Sequence, residues 1–512
     1  MSEPLPAPLR PEHVRPRPLA EAARVAGVVE IGPGWDEIPV SGLTHDSRRV
    51  QPGDLYVALA GANTHGADFA GAAASAGAVA VLTDAAGATT LATASLPVLV
   101  APDPREVLGP LAAWLYGHPG HALLLLGVTG TAGKTTTTYL LEAGLRAAGH
   151  HTGLIGTVQT RIGDEAVKSV FTTPEAPDLQ ALFALMRERG TTAVAMEVSS
   201  HALAYGRAAG TTFDAALFTN LSLEHLDFHG GLEEYFRAKA MLFTPAYARR
   251  GVVNLDDAYG RRLAEQASVP LVTYSVRGDP AADWRAEQVR LRPDGSAFVV
   301  SGPAGTAEVE IHLPGPFNVE NALGALATLT AAGVPLDAGI AGLAAVTGTP
   351  GRMERVDAGQ DFLAIVDYAH KPAALEAVLG SVREVTKGRI VLVVGCGGDR
   401  DRGKRPVMGR IAAEAADVVV LTNDNPRSED PDAIIAAMRS GADLVPAGER
   451  AELFVEPDRA AAIALAVRHA AADDSVVVAG KGHEQGQEAA GVVQPFDDRA
   501  VLRAAIEAEA RT

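Results

Sequence analysis

A single cysteine, Cys396, stands in 512 residues, which excludes an internal disulfide framework and a cysteine-built metal site. Glycines surround it, the setting of a small buried thiol rather than a nucleophile. Long apolar runs are also missing. The longest candidates, such as residues 122–128, are strand-sized and well short of a bilayer span. Cations are outnumbered, 44 Lys and Arg against 62 Asp and Glu for a net charge of −18, so the basic footprint of a general nucleic-acid binder is absent. Anionic small substrates stay open, because a few local donors and metal ions outweigh a distant field. Residues 1–18 are rich in Pro and Arg and lack the apolar stretch of a secretory signal; they read as a disordered tail. These absences predict a cytoplasmic protein with no membrane insertion and no nucleic-acid partner.

What is present is a chain long enough for about two to four domains, with the 47% hydrophobic and 21% charged residues of a globular protein. Three blocks follow the tail. Residues 19–120 mix short β-like stretches (55–59, 79–82, 98–100) with an alanine-rich helical pattern at 67–76, ending at a Gly-His-Pro-Gly turn. Residues 121–348 alternate buried strand candidates (122–128, 193–198, 215–219, 251–254) with helix-sized segments, including one from Lys134 to about Ala148. A hairpin-like stretch at 284–311 interrupts them, and a helix at 318–332 leads out. Residues 349–512 repeat the alternation with strands at 363–367, 390–395, 418–422 and 475–479. The expected fold class is α/β with three domains: a smaller α/β domain, a central parallel sheet of the P-loop ATPase kind, and a C-terminal Rossmann-like doubly wound domain. Glycine and polar clusters recur at the carboxyl ends of these strands, where such sheets bind ligands.

The first of those clusters is Thr129-Gly130-Thr131-Ala132-Gly133-Lys134-Thr135-Thr136, between a strand and a helix. Backbone N–H groups of such a loop cradle phosphate oxygens at the positive end of the helix dipole. Lys134 suits β- and γ-phosphate charge, and the Thr135 hydroxyl suits Mg²⁺. The strict pattern has glycine where this chain has Val128, so the loop is a variant with Gly130 supplying the freedom. ATP is the expected cosubstrate.

Further motifs follow in order: Glu197-Val198-Ser199-Ser200-His201, Thr219-Asn220-Leu221, Glu224-His225-Leu226-Asp227, Asn318 with Asn321, Gly351-Arg352, and Asp367-Tyr368-Ala369-His370. In this combination the chain resembles the Mur ligase family over nearly its whole length, and within it the MurE-type ligases. The resemblance implies an ATP- and Mg²⁺-dependent, monomeric ligase that activates a D-glutamyl carboxylate as an acyl phosphate and joins it to an amine. By the same resemblance Glu197, His225 and Thr135 are metal-proximal, and Lys239 is carbamylated and acts with them. Asn318, Arg352 and Asp367 contact the base, γ-phosphate and ribose of ATP. Ser47, Asn63, Thr64 and His65 belong to a uridine-diphosphate pocket in the first block. Thr172, Thr173, Ser199, Tyr205 and Arg207 contact the muramoyl peptide of UDP-N-acetylmuramoyl-L-alanyl-D-glutamate. Arg400, Asp424, Asn425, Pro426, Arg427, Gly480 and Glu484 match the positions that hold meso-diaminopimelate, Arg427 being the cation for its far carboxylate.

Two positions depart from the family pattern: Tyr205 replaces a glutamine and Ala132 an asparagine. His225 and His229 have the spacing of a zinc helix, but Leu226 stands where that motif needs its general-base glutamate. The alternatives are a lysine-adding ligase of the same type, a folylpolyglutamate-synthase-like ligase, and a non-catalytic phosphate-loop protein. The Asp46-Ser47-Arg48 block opposes the second of these, and intact Lys134, Glu197, His225 and Arg352 oppose the third.

Overall fold

In a computed structural model the described residues are 9–28, 31–167, 171–292 and 294–510. The chain divides into two compact units, one of Met1–Arg285, Gly302–Ala304 and Leu323–Gly342, the other of Ala286–Ser301, Gly305–Ala322 and Leu343–Thr512.

Among its described residues the first unit carries two sheets of more than two strands. The smaller is fully parallel, in the order Gly42–Thr44, Asp54–Ala58, Ala80–Thr83, Val98–Val100. Its inward residues Leu43, Leu55, Val57, Leu82 and Leu99 pack with Leu19, Leu108 and Leu111 of the helices Leu19–Val25 and Pro104–Leu115. In the larger sheet Leu124–Thr129 lies between Ala193–Glu197 and Ala215–Phe218, parallel to both. Thr152–Ile155 lies outside Ala193–Glu197, and Gly251–Asn254 and Leu271–Ser275 extend the other edge. These strands are near-continuous apolar runs because helices cover both faces. After Leu124–Thr129 the chain first builds one side of the sheet and then the other, so its carboxyl end is a topological switch point, the usual seat of a ligand.

Sequence periodicity places most of these parallel strands within a residue or two but gives no strand at Gly42–Thr44 or Thr152–Ile155. It misses Thr160–Ile162 and Glu165–Val167, a short polar antiparallel pair at the edge, and Leu271–Ser275. The stretch at 284–311 is three successive strands, Trp284–Arg292, Gly295–Gly302 and Gly305–Ile311. The alanine-rich pattern at 67–76 is a 3₁₀ turn, Gly66–Phe69, leading into a short helix, Ala70–Ser75.

The second unit holds a six-stranded sheet ordered Glu354–Arg355, Leu363–Asp367, Ser475–Ala479, Ile390–Val394, Val418–Leu421, Glu452–Val455, parallel except at its first strand. A hairpin of Gly486–Ala489 and Val492–Pro495 stands apart from it.

Of the segment expected to form a disordered tail, residues 1–8 lie outside the described residues, whereas residues 9–18 are fixed by specific contacts. The Arg10 guanidinium donates to both carboxylate oxygens of buried Asp54 at 2.5 and 2.8 Å. Arg17–Pro18 pairs antiparallel with Pro39–Val40, and the Arg17 guanidinium covers the Trp114 ring at 4.7 Å. The arginines that give this segment a tail-like composition are its anchors. Among the described residues no helix is long and apolar enough to cross a membrane.

Candidate active site

The first unit assembles its site around the loop that leaves Leu124–Thr129. Gly130 has φ +151°, and a Cβ there would lie 1.8 Å from Thr219 Oγ1; no other residue fits that position without moving the neighbouring strand end. Gly133 turns into the helix Lys134–Ala147, whose first-turn N–H groups have no partner within the helix and serve an anion. Asn220 braces the loop from the next strand: its carbonyl accepts from Thr131 N at 2.9 Å and its side-chain oxygen from Ala132 N at 2.9 Å. Lys134 Nζ donates to the carbonyls of Gly130 (2.9 Å) and Thr131 (3.0 Å), so the ammonium already rests over the loop. Thr135 and Thr136 are buried in the same first turn.

Glu197 ends the strand beside this loop, in register with Val128. It is 1% exposed. Its carboxylate accepts from Thr157 N at 2.8 Å and from Thr157 Oγ1 at 3.0 Å. Thr157 Oγ1 is also 3.0 Å from Thr172 Oγ1. Thr173 Oγ1 donates to the Glu197 carbonyl at 2.9 Å and accepts from Ser199 N at 3.1 Å. Glu197, Thr172, Thr173 and Ser199 are thus joined in one hydrogen-bonded group through Thr157 and the Glu197 main chain. Thr157 escaped sequence reasoning because a threonine after an Ile-Gly pair carries no signal of its own.

Lys239, on the helix Leu232–Ala240, is 1% exposed. Its Nζ donates to the Gly130 carbonyl at 2.7 Å and lies 4.6 Å from the Tyr235 ring centre. Burial, followed by the charge of Lys134, holds its pKa well below that of an ordinary lysine. Tyr235 was likewise unsignalled; its hydroxyl is 3.0 Å from Thr131 Oγ1, and burial pushes its pKa up to about 12. His225 takes a left-handed conformation, φ +55°, and caps the short helix Leu226–His229 from outside. Its ring and that of His229 both lie near Tyr235, at 6.2 and 5.1 Å between centroids. The His225 Nε2 is 2.8 Å from Glu224 Oε1, and its ring meets His201 edge-on at 4.6 Å.

In the smaller sheet the loop after Asp54–Ala58 carries exposed Asn63 and Thr64, while His65 is fixed. His65 Nδ1 accepts from Ala67 N at 3.0 Å, leaving Nε2–H to donate to Asp84 at 3.2 Å. Ser47 opens the turn Ser47–Arg49. The turn is closed by Asp46, which accepts from Arg48 N at 3.0 Å and pairs with the Arg48 guanidinium at 2.7 Å. Arg207 sits 2.8 Å from the Glu175 carboxylate, with Phe171 under its guanidinium at 4.7 Å. Arg105 donates to the same carboxylate at 3.0 Å. Tyr205, in place of the family's glutamine, is exposed and packs 5.2 Å from Phe228.

In the second unit Asn318 donates to the Pro314 carbonyl at 2.8 Å and accepts from Asn321 at 3.2 Å. Asp367 is buried and accepts from Met353 N and Ala369 N, both at 2.7 Å. Burial nevertheless raises its pKa, against the lowering by Arg352. The Arg352 guanidinium lies 4.5 Å from the Tyr368 ring centre. At the end of Val418–Leu421, Asp424 and Asn425 are buried, and Arg427 is held at φ +53°. Its Nη1 donates to the Gly398 carbonyl at 2.7 Å, and its Nε is 3.4 Å from Glu488 Oε2. Arg400 is exposed and donates to the Asp399 carbonyl at 3.1 Å. Glu484 accepts from Asn425 Nδ2 at 2.9 Å.

Family models match in three successive stretches: the Mur ligase family catalytic domain at residues 39–116, the Mur ligase middle domain at 128–329, and the Mur ligase glutamate ligase domain at 351–482. A UDP-N-acetylmuramoyl-L-alanyl-D-glutamate–2,6-diaminopimelate ligase of Streptomyces coelicolor is 61% identical, covering 98% of each chain. One of the same name from Corynebacterium glutamicum is 49% identical over 94% of each. A solved structure of a UDP-N-acetylmuramoyl-L-alanyl-D-glutamate–2,6-diaminopimelate ligase covers 94% of this chain and 98% of its own, with a TM-score of 0.69 and 36% identity. Matched from its small sheet to its last parallel strand, the chain belongs to the Mur ligase family, ATP-dependent enzymes that form amide bonds.

Proposed function

We propose that the protein adds meso-diaminopimelate to UDP-N-acetylmuramoyl-L-alanyl-D-glutamate in the cytoplasm, cleaving ATP to ADP and phosphate, as a step of peptidoglycan synthesis. The observation that carries this reading is the Asp424-Asn425-Pro426-Arg427 loop. A guanidinium fixed by the Gly398 carbonyl stands on the same loop as a buried carboxylate and amide. Diaminopimelate offers the complement, a distal ammonium beside a carboxylate that lysine lacks, and an arginine fork suits that carboxylate.

ATP's γ-phosphoryl group passes to the D-glutamyl carboxylate: the P–O bond to ADP breaks and one to the carboxylate forms. The free amine of diaminopimelate then attacks the acyl carbon. The C–O bond to phosphate breaks, and the new amide nitrogen releases a proton. Two anions must approach in the first step, so positioning and charge carry most of the catalysis. Lys134 and the first-turn N–H groups hold the phosphates. Arg352 meets the γ-phosphate, Asp367 the ribose and Asn318 the base. Ser47, Asn63, Thr64 and His65 take the uridine diphosphate. Thr172, Thr173, Ser199 and Arg207 take the peptide, with Glu175 steadying Arg207.

The donors for Mg²⁺ are Thr135, Glu197, His225 and Lys239 as its carbamate. A buried carboxylate in register with the start of the loop, with a hydroxyl, is a donor set a hard divalent ion accepts. When bound, the ion neutralises phosphate charge. Lys239 is carbamylated in this reading; its support is complete burial 2.7 Å from the loop carbonyl.

The test is a single reaction of enzyme, Mg²⁺, ATP, the uridine-diphosphate dipeptide and meso-diaminopimelate, followed by mass spectrometry and phosphate release. The expected result is one phosphate per tripeptide product. Phosphate release without an amide product would sink the proposal.

A further inference from the structure

The turn after Ser475–Ala479 reads Gly480-Lys481-Gly482-His483-Glu484, and it drops a lysine into the protein rather than out of it. Gly480 has φ +121°, and a Cβ there would lie 2.6 Å from Asp424 Oδ2. Its N–H donates to the Asp367 carbonyl at 3.0 Å. The chain therefore turns inward at the end of the strand, and Lys481 is 0% exposed. A buried ammonium is costly unless its donors are satisfied, and this one has three polar neighbours. It donates to Asn425 Oδ1 at 2.9 Å and to Glu484 Oε2 at 3.2 Å, and it lies 3.9 Å from Asp424 Oδ1.

These contacts fix an orientation as well as a charge. Asn425 Oδ1 accepts from Lys481 and also from Glu488 N at 3.0 Å. With its oxygen held by two donors the amide cannot flip, and Nδ2 must face Glu484, 2.9 Å away. Being fully enclosed, Lys481 cannot touch a substrate. We propose that Lys481 is a positioning residue for the amino-acid site: it sets the Asn425 amide and the Glu484 carboxylate in the arrangement that receives diaminopimelate. This rests on the reading that the Asp424–Arg427 loop binds that substrate.

The experiment compares Lys481→Met and Arg427→Ala with wild type in the full-length enzyme. Methionine keeps most of the length and volume of the side chain and removes the donors. Lys481→Met is expected to raise KM for meso-diaminopimelate by tenfold or more with KM for ATP within about twofold, at a lowered melting temperature because Asp424 and Glu484 lose their buried cation. An unchanged KM for diaminopimelate overturns the inference. So does an equal rise in both KM values, which marks a merely structural role. In Lys481→Ala, added propylamine is expected to lower KM for diaminopimelate, with no such effect on wild type; absence of rescue counts against the proposal even if the methionine variant fails to fold. If Arg427→Ala leaves diaminopimelate use unchanged, the parent reading of the loop fails. If Arg427→Ala impairs it and Lys481→Met does not, only the role of Lys481 fails.

Discussion

Side chains at this site divide into those that meet ligands and those that hold other side chains, and substitution separates the two. Lys134 donates to two loop carbonyls. Lys134→Ala is expected to abolish ATP turnover while leaving the unfolding transition in place, checked by phosphate release and thermal melting. Lys239→Ala should be nearly inactive and partly restored by acetate or formate, which supply a short carboxylate where the carbamate stood. An active alanine variant together with an unmodified Lys239 in a crystal structure grown near neutral pH would remove carbamylation. Arg427→Ala should reduce diaminopimelate kcat/KM by roughly thirty- to several-thousand-fold, the equivalent of about 2–5 kcal/mol for a lost buried charge partner. Because Arg427 sits at φ +53°, wild type already carries left-handed backbone strain of about 1 kcal/mol, which alanine keeps. Arg427→Gly relieves that strain and should show the same kinetic loss.

At the scale of elements, the loops of the second unit are tied down by one fully buried ion pair. Arg459, at the start of the helix Arg459–His469, donates to both oxygens of Asp498 at 2.8 and 2.7 Å, and both side chains are 0% exposed. The same guanidinium donates to the carbonyls of Asn423 (3.2 Å) and Ala479 (3.1 Å), which precede Asp424 and Gly480. Arg459→Met leaves a buried carboxylate alone and should cost about 3–5 kcal/mol of stability, read as a lower denaturant midpoint at unchanged slope. Arg459→Met combined with Asp498→Leu should recover most of that loss. A single variant as stable as wild type would show that the pair is not the clamp described. The elements themselves were readable where burial on both faces wrote them as apolar runs: Leu363–Asp367, Ser475–Ala479 and Gly251–Asn254 match the sequence pattern residue for residue. Glu452–Val455 and the Gly486–Pro495 hairpin were not readable, because they are short and largely solvent-facing, so neither alternation nor a run marks them.

Across the whole molecule the same distinction holds for the site. The phosphate loop could be read from order and spacing alone, and Asp424–Arg427 only through its resemblance to the MurE-type signature. Thr157, Tyr235, Glu175 and Lys481 acquire meaning only from partners far away in the chain, as Lys481 does from Asn425, and no local pattern carries that. A pH effect also emerges only from the folded arrangement. Burial lowers the pKa values of His370 and His483 from 6.5 to about 4, with Arg352 pushing the same way in each. Between about pH 4 and 6.5 the unfolded chain binds protons at these rings that the folded chain refuses. Their contribution to stability is therefore complete above pH 6.5 and lost as the pH falls to about 4. Denaturant midpoints measured across that window should fall more steeply for wild type than for His370→Gln combined with His483→Gln; equal slopes would contradict it. The most direct measurement of the central claim is phosphate release from ATP by the wild-type enzyme with the uridine-diphosphate muramoyl dipeptide, run against meso-diaminopimelate, lysine and a panel of other amino acids. Rapid release with diaminopimelate and little with lysine is the predicted result; lysine used as efficiently as diaminopimelate, or no release with any amino acid, would contradict it.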